Sequence, residues 1–285
     1  MYPPKLGISI GDYFRVSPEE TVDPIAEAGF DAISPVWTWD EQLQKIIAAA
    51  RNRGLYIQSV HAPSQQSANI WSTDSNLAEP ALAEFLTILH RCADLSVPTV
   101  VIHPWKGFDC TAWNREAGLA NISLLGDEAA KLGICIAFEN IQCEQILYAL
   151  IAFFRDNPNI GFCWDSGHEN CYCRDRSLLT DLGDRLIMTH LNDNPGISAS
   201  DGTITSLDDL HFLPFDGTVK WDEKIRQLQA ARRQEILNFE VKQLSKPNQI
   251  QNEAYARWTF PEYLAQAYQR AHKIANLYAQ RRNHP

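Results

Sequence analysis

Nine side chains able to hold a divalent cation, His61, His103, Glu139, Asp165, His168, His190, Asp209, His211 and Glu240, fall at or just beyond the ends of short apolar runs. The runs read KLGISI, AISPVW, YIQSVHA, TVVIHPW, CIAFEN, IGFCWDSGH, LIMTHLND and EILNFEVK, and the six from the third onward finish on such a residue. Carboxylates and imidazoles gathered in this way bind metal ions or move protons. Glu139, Asp165, His190 and Glu240 close the fifth to eighth runs. Three carboxylates and one imidazole make a hard, mostly oxygen donor set suited to Mn2+, Mg2+, Co2+ or Zn2+. A lone Glu or Asp at a strand end is ordinarily a helix cap or a loop anchor. Four such groups at one rim would repel one another or shift their pKa values strongly without a cation, so together they predict a metal site.

His61, His103, His168 and the Asp209-Leu210-His211 pair extend the set, as ligands of a second or third metal or as substrate-binding groups. Five of the eight histidines lie on these motifs, and His90, His272 and His284 fall on predicted helices or at the terminus. Between the apolar runs lie segments of helical period: PEETVDPIAEAG, DEQLQKIIAAARNRG, NLAEPALAEFLTILHRCADL, NREAGLANISLLGDEAAKLG, EQILYALIAFFRDN, SLLTDLGD, WDEKIRQLQAARR and FPEYLAQAYQRAHKIANLYAQ. Several stop at a glycine (Gly29, Gly54, Gly133) shortly before an apolar run, the usual chemistry of an αβ loop. Strands apolar at nearly every position suit a sheet covered on both faces. The alternation therefore predicts an α/β chain folded as a closed (β/α)8 barrel, one domain over residues 1–285, with the nine side chains on the face formed by the strands' C-terminal ends. No GxGxxG or GxxxxGK[ST] follows a strand, which removes the main support for nucleotide binding. The longest excursion, from about Asn192 to Trp221, has the length of a lid or ligand-carrying segment.

A chain of 285 residues with 45% hydrophobic content can bury one large core. The formal charge of −10 would repel nucleic acid and anionic membranes, and the short basic stretches RNRG, ARR and QRR read as solvated helix faces. Neither export nor a membrane span is indicated, so a cytoplasmic protein is expected. The seven cysteines are an odd set without a small secreted framework, and free thiols are expected; Cys135 and Cys163 read as small core residues, and Cys171-Tyr172-Cys173 lacks the spacer of common zinc sites. A homo-oligomer is left open.

The motifs HAP at 61–63, HP at 103–104, EN at 139–140, DSGH at 165–168, HLND at 190–193, DLHFLPFDG at 209–217 and FE at 239–240 resemble, in this order, those of the xylose isomerase-like TIM-barrel superfamily, which includes sugar isomerases and epimerases and also endonuclease IV. The resemblance covers nearly the whole chain and is more specific for the fold than for the reaction. In the epimerase branch it implies that Glu139, Asp165, His190 and Glu240 hold one divalent metal and that the two glutamates also exchange protons with a sugar. A metal would polarise the carbonyl and hold the enediolate as it forms, and His168 would bind a substrate hydroxyl or oxyanion. In the endonuclease IV branch the same nine positions imply a three-zinc cluster that hydrolyses a phosphodiester. Small polar residues follow His61 where that branch carries bulky DNA-inserting side chains, and the net charge is acidic, so the expectation is a metal-dependent isomerase or epimerase of a sugar or sugar derivative. The alternatives are a multi-zinc phosphodiester hydrolase and a dehydratase of a polyol or keto acid. A barrel that has lost catalysis fits poorly with Glu139 and Glu240 both present. Trp37 and Trp105 at strand ends, and Phe14 in the loop after the first strand, are candidate sugar-contacting surfaces, while Trp71 and Trp164 lie nearby in sequence.

Overall fold

The structure, a computed structural model, describes residues 3–38, 40–173, 176–245 and 253–280; His284 and most of the QRR stretch lie outside them. The apolar runs form parallel strands: β1 (Lys5–Ile10), β2 (Ala32–Pro35), β3 (Tyr56–Ile57), β4 (Val60–His61), β5 (Thr99–Ile102), β6 (Cys135–Glu139), β7 (Ile160–Asp165), β8 (Leu186–His190) and β9 (Ile236–Phe239). They make two arcs, β3-β2-β1-β9 and β4-β5-β6-β7-β8. Single-residue bridges from Val36 to His61 and from Leu191 to Phe239 join the arcs into a barrel. The segments β3 and β4 are two halves of the run YIQSVHA, one serving each arc, so the eight predicted strands are recovered with the third one broken.

Helices α1 (Val22–Ala28), α2 (Asp40–Asn52), α3 (Ser75–Asp94), α4 (Arg115–Leu132), α5 (Glu144–Phe153), α6 (Ser166–Tyr172), α7 (Leu178–Leu182), α8 (Trp221–Ala230) and α9 (Phe260–Gln280) surround the strands. Their ends follow local chemistry. Asp74 and Asn114 cap α3 and α4 by accepting from the backbone N–H of Asn76 and Ala117. Gly133 ends α4 at φ 69°, a left-handed conformation that a residue with a Cβ resists. Two boundaries differ from the expectation. PEET forms a separate 3-10 turn before α1, and the run IGFCWDSGH stops as a strand at Asp165, whose carboxylate accepts from His168 N–H and starts α6. The hydrogen-bonding side chain of Asp165 overrides the apolar pattern. No helix among the described residues is long and apolar enough to cross a membrane.

Residues two apart on a strand share a face, and the register makes that parity common to the whole barrel. Val101 pairs with Ala137, Glu139 with Cys163, Cys163 with Met188 and Asp165 with His190. Val101, Ala137, Cys163 and Met188 form a small apolar cluster of their own inside the barrel, apart from the main core of Phe138, Phe162, Trp164 and Phe239 that packs under the helices. Glu139, Asp165 and His190 sit two residues beyond Ala137, Cys163 and Met188, hence on the same inward face and one layer higher. On the other arc Asn238 Nδ2 donates to Ser9 Oγ at 2.8 Å, and Glu240 follows Asn238 by two. Alternation along the strands thus aims the predicted residues at one mouth.

Phe14, offered above as a candidate sugar-contacting surface, belongs to the packing instead. It is 3% exposed and lies against Phe260 and Tyr263 at ring separations of 4.9 and 5.9 Å. The loop after β1 turns Phe14 under α9 and leaves Tyr13 facing the mouth. Phe14→Ala should therefore lower unfolding stability by about 3 kcal/mol, read as a drop in the urea midpoint, with metal binding retained. A loss under about 1 kcal/mol would place the ring outside the core.

Candidate metal centre

Glu139 is 0% exposed at the end of β6, and its two oxygens face four imidazoles. Oε2 lies 2.9 Å from His61 Nε2, 3.3 Å from His103 Nε2 and 3.2 Å from His190 Nδ1, and Oε1 lies 3.2 Å from His168 Nδ1. His190 Nδ1 is also 3.0 Å from Glu240 Oε2. Burial alone would raise the Glu139 carboxyl, but the charges of His190 and His103 and the hydrogen bonds from His103 and His168 hold it well below the carboxylate range. Burial would lower His190, and its contacts with the Cys163 sulfur and with the negative charges of Glu139 and Glu240 carry it well above the ordinary imidazole value instead. His103 goes the other way, lowered because burial outweighs its contact with Glu139. Burial pushes Asp165 up to about 6, against the opposing pull of His168.

The backbone that presents these groups is pinned by polar side chains. Asn140 clamps the end of β7, its Oδ1 accepting from Asp165 N–H at 2.7 Å and its Nδ2 donating to Asp165 O at 2.8 Å. Asp165 Oδ2 accepts from Asn192 Nδ2 at 2.8 Å. Asp193 organises the long β8–α8 segment: its carboxylate accepts from the N–H groups of Asn194, Phe215 and Val219 and from Trp221 Nε1. That segment brings Asp209 and His211 back to the mouth. His211 adopts φ 50°, held by Nδ1 on Glu240 O at 2.9 Å and Nε2 on Asp209 Oδ2 at 3.1 Å. A non-glycine residue in that conformation is a local strain that the surrounding contacts must hold.

All nine predicted residues converge, in groups whose ligand atoms lie within 4.8 Å of one another. One is Glu139, Asp165, His190 and Glu240; the others include His61–His103–Glu139 and His168–Asp209–His211. Separations near 3 Å match the edges of a coordination shell with bonds of about 2.1 Å. Glu139 Oε1 and both ring nitrogens of His190 are buried, and although charged neighbours stand about 3 Å from Glu139 Oε1 and His190 Nδ1, none of the three atoms has a partner in good hydrogen-bond geometry. A divalent cation would satisfy them, so these residues fit one. A fourth group, Glu139–Cys163–His190, brings in a thiol read from sequence as a plain core residue. Cys171 and Cys173 join none of these groups, and His90 is paired with Glu128 on the helical surface.

The residues open into a cleft of about 390 Å3 lined by Trp37, His61, His103, His168, Asp209, His211 and Glu240, and also by Tyr13, Gln142, Tyr172 and Lys242, which the sequence reading passed over. Tyr13 OH donates to Glu240 Oε1 at 2.9 Å, and Tyr172 stacks on His168 with centroids 5.5 Å apart. Spacing offered a signal for two of them: Lys242 follows Glu240 by two and Tyr172 follows His168 by four. Trp105 is 4% exposed and does not line the cleft, so its candidacy as a sugar platform is corrected to packing, as for Trp71 and Trp164. The expectation of seven free thiols is corrected as well. Cys110 and Cys143, in the loops after β5 and β6, form a disulfide, with Cα atoms 5.3 Å apart across 33 residues of sequence. The parallel barrel makes these loops neighbours, and the bridge tethers the segment carrying Ile141 and Gln142 on the cleft wall.

A family model for xylose isomerase-like TIM barrels matches residues 22–260. The chain belongs to this family. The uncharacterised protein y4fM of Sinorhizobium fredii (strain NBRC 101917 / NGR234) is 35% identical over 130 residues, which span 45% of this chain and 34% of that protein, about a third of its length. Among solved structures, D-psicose 3-epimerase from Clostridium cellulolyticum H10, crystallised with D-tagatose, is similar with a TM-score of 0.70 at 16% identity, covering 95% of this chain and 99% of that one. The IolI protein with a bound zinc atom gives 0.72 at 18%, covering 97% and 98%. The apo form of 3-keto-D-glucoside 4-epimerase, YcjR, from E. coli gives 0.68 at 17%, covering 96% and 99%. At these identities the likeness is one of fold.

With the His190 imidazole held above its ordinary value, the metal-free protein carries a proton there near neutrality, and a cation must displace it. Titration with Zn2+ or Mn2+ in buffers of different ionisation enthalpy at about pH 7 should show proton release and an affinity that climbs with pH. Binding without release, flat across the same range, would contradict this assignment of His190 as a ligand.

Proposed function

We propose that the protein is a metal-dependent isomerase or epimerase of a sugar or sugar derivative. The observation that carries this reading is the group Glu139–Asp165–His190–Glu240, in which two glutamates on different strands share one cluster at the floor of a cleft. Its similarity in fold to proteins named as sugar epimerases supports the reading. These four residues would hold the ion, which when bound draws electron density from a neighbouring carbonyl and acidifies the adjacent C–H. A C–H next to an unassisted carbonyl is far too weak an acid for a carboxylate base at neutral pH.

The protein's own groups do the rest. Glu240 lines the cleft, with Tyr13 OH fixing one of its oxygens, and takes the proton from substrate carbon. Glu139 lies deeper, facing His61, His103 and His168; it passes to the other side of the carbon a proton taken from the His168 imidazole, and the proton left on Glu240 leaves through the cleft to solvent, from which the imidazole is reprotonated. Return to the opposite face of the same carbon gives an epimer; return to the neighbouring carbon gives the aldose–ketose isomer. His168, in the first turn of α6 with its backbone fixed by Asp165, presents a donor to a substrate hydroxyl. The half-buried Trp37 offers a ring face to sugar C–H groups. The same base next to a β-hydroxyl would give dehydration.

One observation favours a second reading. His61–His103–Glu139 and His168–Asp209–His211 are built as ligand groups in their own right, as a phosphodiester hydrolase with two or three metals requires. The formal charge of −10 opposes a nucleic-acid substrate.

The test incubates metal-loaded protein in D2O with a panel of ketoses and aldoses, and separately with bis(4-nitrophenyl) phosphate. The wild type should place deuterium on substrate carbon, and Glu240→Gln should reduce turnover and exchange by about a thousandfold with the far-UV spectrum unchanged. Full exchange in that variant would sink the two-glutamate mechanism. Phosphodiester hydrolysis without exchange would move the assignment to the second reading.

A further inference from the structure

Two βα loops leave the site side by side, one from His103 beyond β5 and one from Glu139 at the end of β6, whose side chains stand 3.3 Å apart. Farther out, the Cys110–Cys143 disulfide joins the same two loops. Both loops reach the cleft. Gln142, next to Cys143, lines it directly. Phe108, two residues before Cys110, lies edge-on to Tyr172 with ring centroids 5.9 Å apart, and Tyr172 lines the cleft and stacks on His168. The bond also holds a conformation that its residue type resists. Cys143 takes φ 60° and ψ 52°, left-handed, at the position that opens α5, and its side chain caps no N–H there. The two sulfurs are unequally placed. Cys143 is 7% exposed, whereas Cys110 is half-buried on a loop whose Lys106, Phe108, Asp109 and Thr111 are exposed. The other five cysteines are free thiols, four of them buried, so a reductant meets one disulfide and one accessible sulfur in it.

We propose that the Cys110–Cys143 disulfide is a redox modification site, opened by a dithiol reductant, whose state sets how firmly the cleft wall is held. A thiolate of the reductant attacks Cys110 Sγ, the S–S bond breaks, and Cys143 departs as a thiolate and takes up a proton. The second thiol of the reductant then attacks the mixed disulfide and releases Cys110 as a thiol. Two electrons and two protons pass to the protein, and the reductant leaves as its own disulfide. Departure at the N-terminal end of the ten-residue α5 favours the Cys143 thiolate, against the charge of Glu144 beside it. Once free, Cys143 relaxes to a negative φ, Gln142 moves with it, and Phe108 loses its tether against Tyr172. The floor is insulated from this change. Asn140, which lies between Glu139 and Cys143 in the chain, keeps both its bonds to the Asp165 backbone, so reduction alters access to the metal-capable residues and not their arrangement. A disulfide oxidant restores the bond.

The test uses the full chain loaded with Mn2+, either kept oxidised or reduced with about 10 mM dithiothreitol and desalted under nitrogen. Alkylation in denaturant should count five free thiols before reduction and seven after it, with oxidised glutathione restoring five. On reduction, amide exchange in the loops that carry Cys110 and Cys143 should rise at least about tenfold, with β7 and β8 unchanged, and EDTA should strip the ion about fivefold faster while the equilibrium affinity for Mn2+ stays within about threefold. The double variant Cys110→Ser/Cys143→Ser should behave as the reduced protein in either buffer. Reduction that leaves both amide exchange and stripping unchanged would overturn the proposal, since the bond would then be inert toward the cleft. A bond that survives the dithiol in the folded protein would also overturn it, and so would global unfolding once the bond is opened, which would make it a structural brace. Protein that takes up no Mn2+ would contradict the metal centre, and the thiol count and amide exchange would then decide this inference by themselves.

Discussion

A carboxylate with no exposure, Glu139, set among four imidazoles, is the constraint on which the rest of this structure depends. Burying one ionised carboxylate without compensation is worth several kcal/mol of destabilisation, and this mouth gathers three more acids, Asp165, Asp209 and Glu240. The fold meets the demand by bringing opposite charge or a cation to the same point. His168 and His190 are held above their ordinary values by the acids they face, although burial acts against both. Protonated imidazoles are thus the metal-free answer to the same charge that a divalent ion answers when bound. The cluster is stable only as a whole, and removing one acid or one imidazole leaves its partners buried and unmatched.

Much of the remaining structure holds those groups in register. Parallel strands with one shared parity lift Glu139, Asp165 and His190 one layer above a small apolar floor of Val101, Ala137, Cys163 and Met188. Asn140 fixes the backbone at Asp165, and Asp165 in turn starts the helix that carries His168. Asp193 folds the long segment back so that Asp209 and His211 complete the ring, with His211 in a left-handed conformation. Each device uses a side chain that is itself buried and fully engaged, the way a site is kept rigid. The clustered groups sit at the strands' C-terminal mouth, where the inward side chains of several strands meet the βα loops. The hollow of about 550 Å3 at the opposite end, between Lys5, Tyr56 and Ile236, contains none of the clustered ligand groups.

The barrel and the convergence of the nine metal-capable side chains were legible in the sequence because both depend on short-range pattern. Apolar runs specify strands, and a metal-capable residue at the same point of run after run can only converge if the strands are parallel. What escaped depended on contacts between distant segments. Phe14 and Tyr13 are adjacent in sequence, and only the packing of α9 decides which is buried and which faces Glu240. Trp105 looked like a rim residue because it ends an apolar run, yet it is covered. Cys110 and Cys143 are 33 positions apart and meet because neighbouring βα loops are neighbours in space, which counting cysteines does not reveal. The break between β3 and β4 reflects closure of the two arcs, a property of the whole ring.

The most direct test of this account asks whether the buried acids are matched by a cation. Protein purified without chelator or metal-leaching resin, then dialysed against Mn2+ or Zn2+, would be analysed for metal per chain alongside Glu139→Gln. The account predicts one or more tightly held equivalents in the wild type and a marked loss in the variant. A folded wild type that takes up less than about a tenth of an equivalent under both conditions would contradict it, leaving protonated imidazoles as the sole counter-charge to Glu139.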